Sequence, residues 1–200
     1  MKTTARTFGC RVAAAVGAFA LALVGLGGTT TTARAADLGN IDSGRTGSLL
    51  IHKHESGSQS ADGTPDGQTP SGGAGVADVV FTAYKITNLD LTTQAAWDGL
   101  KNQQVPADAC GADYASPSLG SYTFDGGTAS GSTDAQGDTT IGGLPVAAYL
   151  VCETSAPSTV KTKAAPFLVT VPFPNNSTNA ANGNGEWLYD VNVYPKNTVV

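Results

Sequence analysis

The chain has 200 residues, a formal net charge of −5 at pH 7 and only 14 % charged residues. An acidic surface repels phosphate groups, so the charge balance excludes nucleic acid as a partner and excludes charge-driven attachment to anionic lipid. The 25 glycines and the scarcity of charged residues favour short strands joined by turns over a helical bundle.

The first segment, residues 1–35, has the anatomy of a secretory signal peptide. Its basic start is followed by an apolar run over 12–26, which is shorter than the roughly 20 residues that a bilayer span needs. Ala33 and Ala35 are small residues at the positions that a signal peptidase reads, so we expect cleavage after Ala35. Cleavage removes four of the 11 basic residues and none of the 16 acidic ones, which leaves a net charge of 7 − 16 = −9.

A single domain is predicted over residues 48–198, after a short polar segment at 36–47 that we expect to be flexible. The domain opens with an alternating stretch in which Leu49, Ile51 and Lys53 lie on one face of a strand. Lys53 is therefore predicted to point toward the apolar interior.

The remaining elements are short. A helix is predicted near 93–104, with Thr92 or Thr93 as its N-cap and Pro106 beyond its end. Further strands are predicted at 76–86, 144–153, 167–173 and 187–194, separated by polar or turn-rich stretches at 56–75, 125–143 and 175–185. Several short strands with turns between them predict an all-β sandwich with one short helix.

Two cysteines, Cys110 and Cys152, remain after removal of the signal peptide. An even number of cysteines in an exported chain favours a disulfide, and the alternative is a pair of free thiols. The bond closes a loop of 42 residues (152 − 110), for which the chain-entropy model gives about 4 kcal/mol of stabilisation.

The motif search gives no enzyme, metal or cofactor site. The sequence contains no Gly-x-Ser-x-Gly or His-Glu-x-x-His pattern and no phosphate-binding glycine loop, which argues against a secreted hydrolase. His52 and His54 lie on one strand face, but two histidines without further ligands do not make a metal site.

Two motifs are more specific. Residues 187–197 read WLYDVNVYPKN and residues 144–157 read LPVAAYLVCETSAP, with supporting matches at 81–85 and 165–169. These stretches resemble the pilin motif and the E-box of the major subunits of sortase-assembled Gram-positive pili, and specifically their N-terminal domain, as in the Actinomyces and Corynebacterium types. Ala148 stands where that family often has glycine.

The resemblance implies an immunoglobulin-like (CnaB-like) fold and a role for Lys196. In that family, a pilus-specific sortase holds the sorting signal of one subunit as a thioester, and a lysine amine of another subunit attacks it. Because only about 0.04 % of ordinary lysine side chains are neutral at pH 7, the site or the sortase must favour loss of the proton. We expect Pro195 to end the strand pairing and to present Lys196 at a strand end.

A second implied site combines Lys53, Glu153 and Asn197. Related domains close an amide between a lysine and an asparagine of one domain, with help from a nearby carboxyl group. Asn192 is a less favoured acceptor because it does not match the family position. The alternative is a buried ion pair between Lys53 and Glu153 without any covalent chemistry.

The sequence therefore predicts a secreted structural subunit of a cell-wall pilus, or fimbria, that supports adhesion. Its expected partners are other pilin subunits, a pilus sortase and a host surface receptor. The competing hypothesis is a pilus-associated or wall-anchored adhesin that binds a host glycan or protein, but an adhesin does not need the YPKN terminus. The sequence shows no sorting signal or anchor after Lys196, so we expect it to be a piece of a longer pilin.

Overall fold

The computed structural model describes residues 40–56, 63–175 and 186–199. The signal peptide predicted at 1–35 lies outside these residues, so its presence and its cleavage stay predictions. Within the described ranges, no helix is both long enough and apolar enough to span a bilayer.

Strands dominate the described part of the chain, and one helix, α1 (Gln94–Lys101), interrupts them. The strands before α1 are β1 (Thr46–His52), β2 (His54–Glu55) and β3 (Val80–Lys85). Those after α1 are β4 (Thr128–Ala129), β5 (Asp138–Pro145), β6 (Ala147–Ser155), β7 (Val160–Thr162), β8 (Phe167–Val171), β9 (Phe173–Pro174), β10 (Trp187–Leu188), β11 (Asp190–Val193) and β12 (Lys196–Val199).

Two sheets enclose the main core. One sheet has the strand order β11-β1-β5. Strands β2 and β12 continue β1 and β11 in a further set with the order β2-β12-β7. The other sheet has the order β4-β3-β6-β8. Strand β1 pairs in parallel with β11 and antiparallel with β5, whereas β6 pairs antiparallel with both β3 and β8. The apolar core draws on both sheets, including Leu49 and Ile51 from β1 and Tyr149 and Val151 from β6. The predicted all-β, immunoglobulin-like sandwich is confirmed.

Strand β6 is buried on both faces, which explains its apolar sequence. Tyr149 and Val151 point into the main core, and Leu150 and Cys152 point into a second core on the other side of the sheet. Helix α1 contributes Leu100 and other residues to this second core.

Thr93 is the N-cap that the sequence predicted, and its hydroxyl accepts a hydrogen bond from the Ala96 N–H at 3.4 Å. The helix ends at Lys101, with Asn102 as its C-cap, and so stops short of the predicted 104. Cys110 and Cys152 form the predicted disulfide, which ties the segment after the helix to β6.

The turn-rich stretch predicted at 125–143 contains two strands, one in each sheet, that the sequence did not reveal. It holds β4 and most of β5, and the strand predicted at 144–153 is in fact the end of β5 followed by β6. Only Ile141 and Leu144 of β5 are buried, while Gly142 and Gly143 between them are exposed. A strand with glycines and little apolar content has the composition of a turn.

The segment predicted to be flexible, 36–47, packs against the sandwich over its described part. Ile41 is buried, and the Asp42 N–H donates a hydrogen bond of 2.8 Å to the Tyr189 hydroxyl. The Arg45 guanidinium lies 4.0 Å from the centre of the Tyr189 ring, and β1 already begins at Thr46.

The disulfide leads to a stability prediction. Replacing both Cys110 and Cys152 by serine should lower the free energy of unfolding by about 4 kcal/mol, because the unfolded chain regains the freedom of a 42-residue loop. Denaturant unfolding of the secreted protein, monitored by circular dichroism, measures this difference. Thiol titration of the unreduced protein should find neither cysteine reactive, and two reactive thiols would contradict the pairing.

Candidate functional site

The first and last strands of the domain form one parallel ladder. Ser48 pairs with Asp190 in β1 and β11, and His54 pairs with Lys196 in β2 and β12. Both pairs differ by the same number of residues (190 − 48 = 196 − 54 = 142), so the register is unchanged where each strand is interrupted. Side chains therefore keep alternating between the core face and the outer face along the whole ladder.

The interruption covers Lys53 in the first strand and Tyr194 and Pro195 in the last strand. Pro195 has no N–H to donate to the ladder. The Lys53 N–H instead donates to the Gly137 carbonyl at 2.7 Å, and the Lys53 carbonyl accepts from the Val76 N–H at 2.9 Å. These two bonds fix the backbone of Lys53 from the side of β5 rather than from the side of β12.

Lys53, Glu153 and Asn197 come together on the core face of this ladder. All three side chains are buried. The Lys53 Nζ lies 3.9 Å from Glu153 Oε2, and Asn197 Nδ2 donates a hydrogen bond of 2.8 Å to Glu153 Oε1. The Ala164 N–H donates a further hydrogen bond to Glu153 Oε2 at 3.0 Å. The carboxyl group thus stands between the amine and the amide.

Burial changes the chemistry of this lysine. It lowers the pKa of Lys53 to about 7, because the charged amine is poorly solvated, and the negative charge of Glu153 opposes this effect only in part. A large fraction of Lys53 is therefore neutral, and nucleophilic, near neutral pH. Asn197 Oδ1 is also buried and has no hydrogen-bond partner among the described residues, which leaves the amide carbonyl without stabilisation.

The structure places the less favoured acceptor, Asn192, away from this amine. Asn192 belongs to the outer face of the ladder, where its Oδ1 lies 2.8 Å from His52 Nε2 and its Nδ2 donates to the Pro65 carbonyl at 3.2 Å. Sequence reasoning missed two groups that shape the buried site, the Ala164 N–H and Gly137. Neither contact has a sequence signal, since both are made by backbone atoms of loops.

Lys196 lies on the outer face of the same ladder and is half-buried. It is the first residue of β12 and is paired with His54, whose N–H donates to the Pro195 carbonyl at 3.2 Å. As predicted, strand β11 ends before Pro195 and Lys196 stands at a strand end, but the pairing is interrupted rather than ended, because it resumes at Lys196 in β12. Two positions of the ladder, 52/194 and 53/195, are left unpaired, and Pro195 has no N–H to donate there.

A hydrogen-bonded cluster holds the outer face just before Lys196. The two ring nitrogens of His52 lie 2.7 Å from Asp138 Oδ1 and 2.8 Å from Asn192 Oδ1. The His52 ring stacks on Tyr194 with 4.9 Å between ring centres, and the Tyr194 hydroxyl donates to the Thr64 carbonyl at 3.1 Å. The chain that enters the YPKN segment is thus fixed on several sides.

The family model described as the Gram-positive pilin subunit D1, N-terminal domain, matches residues 44–198. This range contains both the buried triad and Lys196. The chain belongs to the Gram-positive pilin family. The resemblance of the two sequence motifs to that family is thereby confirmed.

Sequence and structure comparisons with individual pilins support this family membership. The chain is 45 % identical to the fimbrial subunit type 2 of Actinomyces naeslundii over 98 % of its own length and 37 % of that protein. The full-length major pilin SpaD of Corynebacterium diphtheriae is similar in structure, with a TM-score of 0.57, 31 % identity, and coverage of 83 % of this chain and 34 % of SpaD.

The major pilin SpaA of the same species has a TM-score of 0.50 and 28 % identity, with 76 % and 30 % of the two chains covered. That structure is described as pointing to a modular pilus assembly with stabilising isopeptide bonds. The present chain spans about a third of the length of these relatives.

Gly137 provides a test of how the buried lysine is held. Its φ of +85° is strained for any other residue, and a Cβ at this position would lie 2.0 Å from the Lys53 carbonyl oxygen. Gly137→Ala should therefore lower the free energy of unfolding by about 1–3 kcal/mol.

Gly142→Ala is the matched control within β5. A Cβ at Gly142 meets nothing within 4 Å, so this variant should stay within about 0.5 kcal/mol of the parent. Guanidinium unfolding of both variants provides the comparison. Equal stabilities would show that the close approach of Gly137 to Lys53 does not constrain the domain.

Proposed function

We propose that this pilin domain is part of a structural subunit of a covalently polymerised pilus, with two lysines that form amide bonds on opposite faces of one strand ladder. Lys196 accepts the sorting-signal threonine of another subunit, in a reaction catalysed by a pilus sortase. Lys53 forms an amide with Asn197 inside the domain. The observation that carries the proposal is the unbroken register of the ladder, which puts Lys196 outside and its neighbour Asn197 inside.

The internal reaction uses an amine and an amide that both approach the Glu153 carboxyl group. Proton transfer from the Lys53 ammonium to Glu153 gives a neutral amine and a carboxylic acid without a change in net charge. The amine nitrogen then attacks the side-chain carbonyl carbon of Asn197. A new C–N bond forms, the old C–N bond breaks, and Glu153 relays the proton of the amine to the leaving group, which departs as ammonia.

The role of Glu153 also requires a change of hydrogen bond. Asn197 now donates from Nδ2 to Glu153, whereas catalysis needs the protonated carboxyl to donate to Oδ1 and polarise the carbonyl. A half-turn of the Asn197 amide brings the unpartnered Oδ1 into that place. The low polarity around the triad strengthens this hydrogen bond, because no water competes for it.

The internal bond predicts a change in mass. The mass of the folded protein should be lower by one ammonia than the mass calculated from its sequence. Glu153→Ala should restore the full calculated mass because the proton relay is lost. Lys53→Ala should also give the full mass, since it removes the nucleophile. Intact-protein mass spectrometry reads the result, and an unmodified mass in assembled pili would exclude the bond.

The external linkage depends on the chemistry of Lys196. Its amine attacks the thioester held by the sortase, which yields an amide between subunits and frees the sortase thiol. The half-buried position on the outer face leaves this side chain at the surface of the sandwich, and the stacked Tyr194 fixes the backbone before it. A partner subunit can therefore be joined without disturbing the core.

The variant Lys196→Arg tests this assignment. A guanidinium stays protonated and does not attack a thioester as an amine does, so the ladder of high-mass polymers should disappear from cell-wall extracts. Secretion and folding should be retained, because the charge and most of the side-chain length are kept.

Lys161→Arg and Lys163→Arg are the matched controls, and both should leave the polymers intact. Peptide mapping of wild-type polymers should locate the branched peptide at Lys196. High-mass polymers that persist in Lys196→Arg, or a branched peptide located at another lysine, would refute the linkage. Either result would favour an adhesin that is not polymerised through this domain.

A further inference from the structure

His54 is the direct neighbour of Lys196 on the outer face of the ladder. The two residues are registered partners in the parallel pair of β2 and β12, so their side chains leave the sheet on the same side. Adjacent strands lie about 4.8 Å apart, which brings the imidazole beside the stem of the lysine. The resemblance to pilins assigned no role to this histidine.

The two histidines of the chain have different partners. Both ring nitrogens of His52 lie within hydrogen-bond distance of an oxygen atom, so its ring is fully engaged. His54 Nδ1, in contrast, is buried and makes no hydrogen bond within residues 40–56, 63–175 and 186–199. A buried polar atom without a partner is costly, and a functional role is one reason to keep it.

The surroundings of His54 favour its neutral form. Burial lowers the pKa of His54, and the positive charges of His52, Lys196 and Lys53 act in the same direction, while the negative charge of Asp138 opposes them. An imidazole that is neutral at physiological pH is able to accept a proton.

Two carboxylates near the ladder are less suitable as proton acceptors. Asp138 is bound to His52 through its Oδ1 at 2.7 Å. Glu55 is paired with Asn197 and therefore belongs to the opposite face of the ladder from Lys196. Of these neighbours, His54 alone combines the correct face with an unused nitrogen.

We propose that His54 is the general base that accepts a proton from Lys196 during intersubunit amide formation. This inference rests on the proposed function of Lys196 as the acceptor. Lys196 enters the reaction as the neutral amine, after one proton has passed to solvent. Its nitrogen bonds to the thioester carbonyl carbon, the C–S bond breaks, and the sulfur leaves as a thiolate.

The attacking nitrogen becomes positively charged as its bond to carbon forms, and it must lose a second proton to become an amide. His54 takes this proton and becomes an imidazolium, which returns it to the thiolate directly or through solvent. The products are the amide, the free thiol and a neutral His54, so atoms and charge balance.

The test uses the purified domain and a small thioester, S-acetyl-N-acetylcysteamine, so that no sortase is needed. Peptide mapping by mass spectrometry follows acetylation of each lysine with time at pH 7. His54→Gln should slow acetylation of Lys196 by about a hundredfold, the lower end of general-base effects. Exposed Lys101, at the end of α1, is the internal reference and should react at an unchanged rate.

Chemical rescue separates a base from a structural residue. In His54→Ala, added imidazole should restore acetylation of Lys196 in proportion to the imidazole concentration. The rate at which Lys101 is acetylated should stay unchanged. Thermal unfolding of each variant verifies that the fold is retained. An unchanged rate in His54→Gln, or a slow rate in His54→Ala that imidazole does not restore, would overturn the assignment.

The two proposals fail in different ways. If the polymer ladder persists in Lys196→Arg, the linkage proposal is lost, even where thioester acetylation of Lys196 still depends on His54. If Lys196→Arg abolishes the high-mass polymers but Lys196 is acetylated at the normal rate in His54→Gln, the linkage stands. The assignment of His54 as general base is then refuted. Polymer formation in His54→Gln, compared at equal secretion, should be slower than in the parent.

Discussion

The parallel pairing of the first and last strands is the constraint on which the rest of the site depends. It joins residues 142 positions apart, the largest separation of any strand pairing among the described residues, and the apolar core that it closes must offset the loop-closure cost. The register is the same before and after the breaks at Lys53 and Pro195. The consecutive residues Lys196 and Asn197 therefore lie on opposite faces, one at the surface and one in the core. A slip by one residue would exchange Lys196 and Asn197 between the two faces.

The buried ion pair has a clear relation to the core around it. Leu49 and Ile51 precede Lys53 on the same face and are fully buried, so the lysine continues an apolar row rather than starting a polar pocket. Burial of a lysine and a glutamate is costly, and their mutual attraction rarely more than offsets the loss of water. An amide between Lys53 and Asn197 removes that cost, since the product carries no charge at the lysine.

Much of this arrangement could be predicted from the sequence. Alternation placed Lys53 with Leu49 and Ile51, and the two motifs placed Glu153 and Asn197 near it. The weak points were elements with little apolar content, such as β5, where Gly142 and Gly143 resemble a turn. The resumption of pairing after Pro195 was also missed, because a proline indicates where one ladder bond is absent but not whether a strand continues. The contacts of Lys53 with Gly137 and Val76 involve backbone atoms, and local sequence does not encode them.

The direction of the last strand has a mechanical consequence. Under the proposed linkage at Lys196, a pull along the axis of β12 would act across the hydrogen bonds that join this strand to β2 and β7. Such a pull shears several bonds at once, whereas a pull at right angles to the strand opens them one after another. The proposed amide between the adjacent Asn197 and Lys53 would pass the force directly into the first strand. With both proposed amides in place, tension along the fibre would pass from subunit to subunit through covalent bonds rather than through the packing of the apolar sandwich.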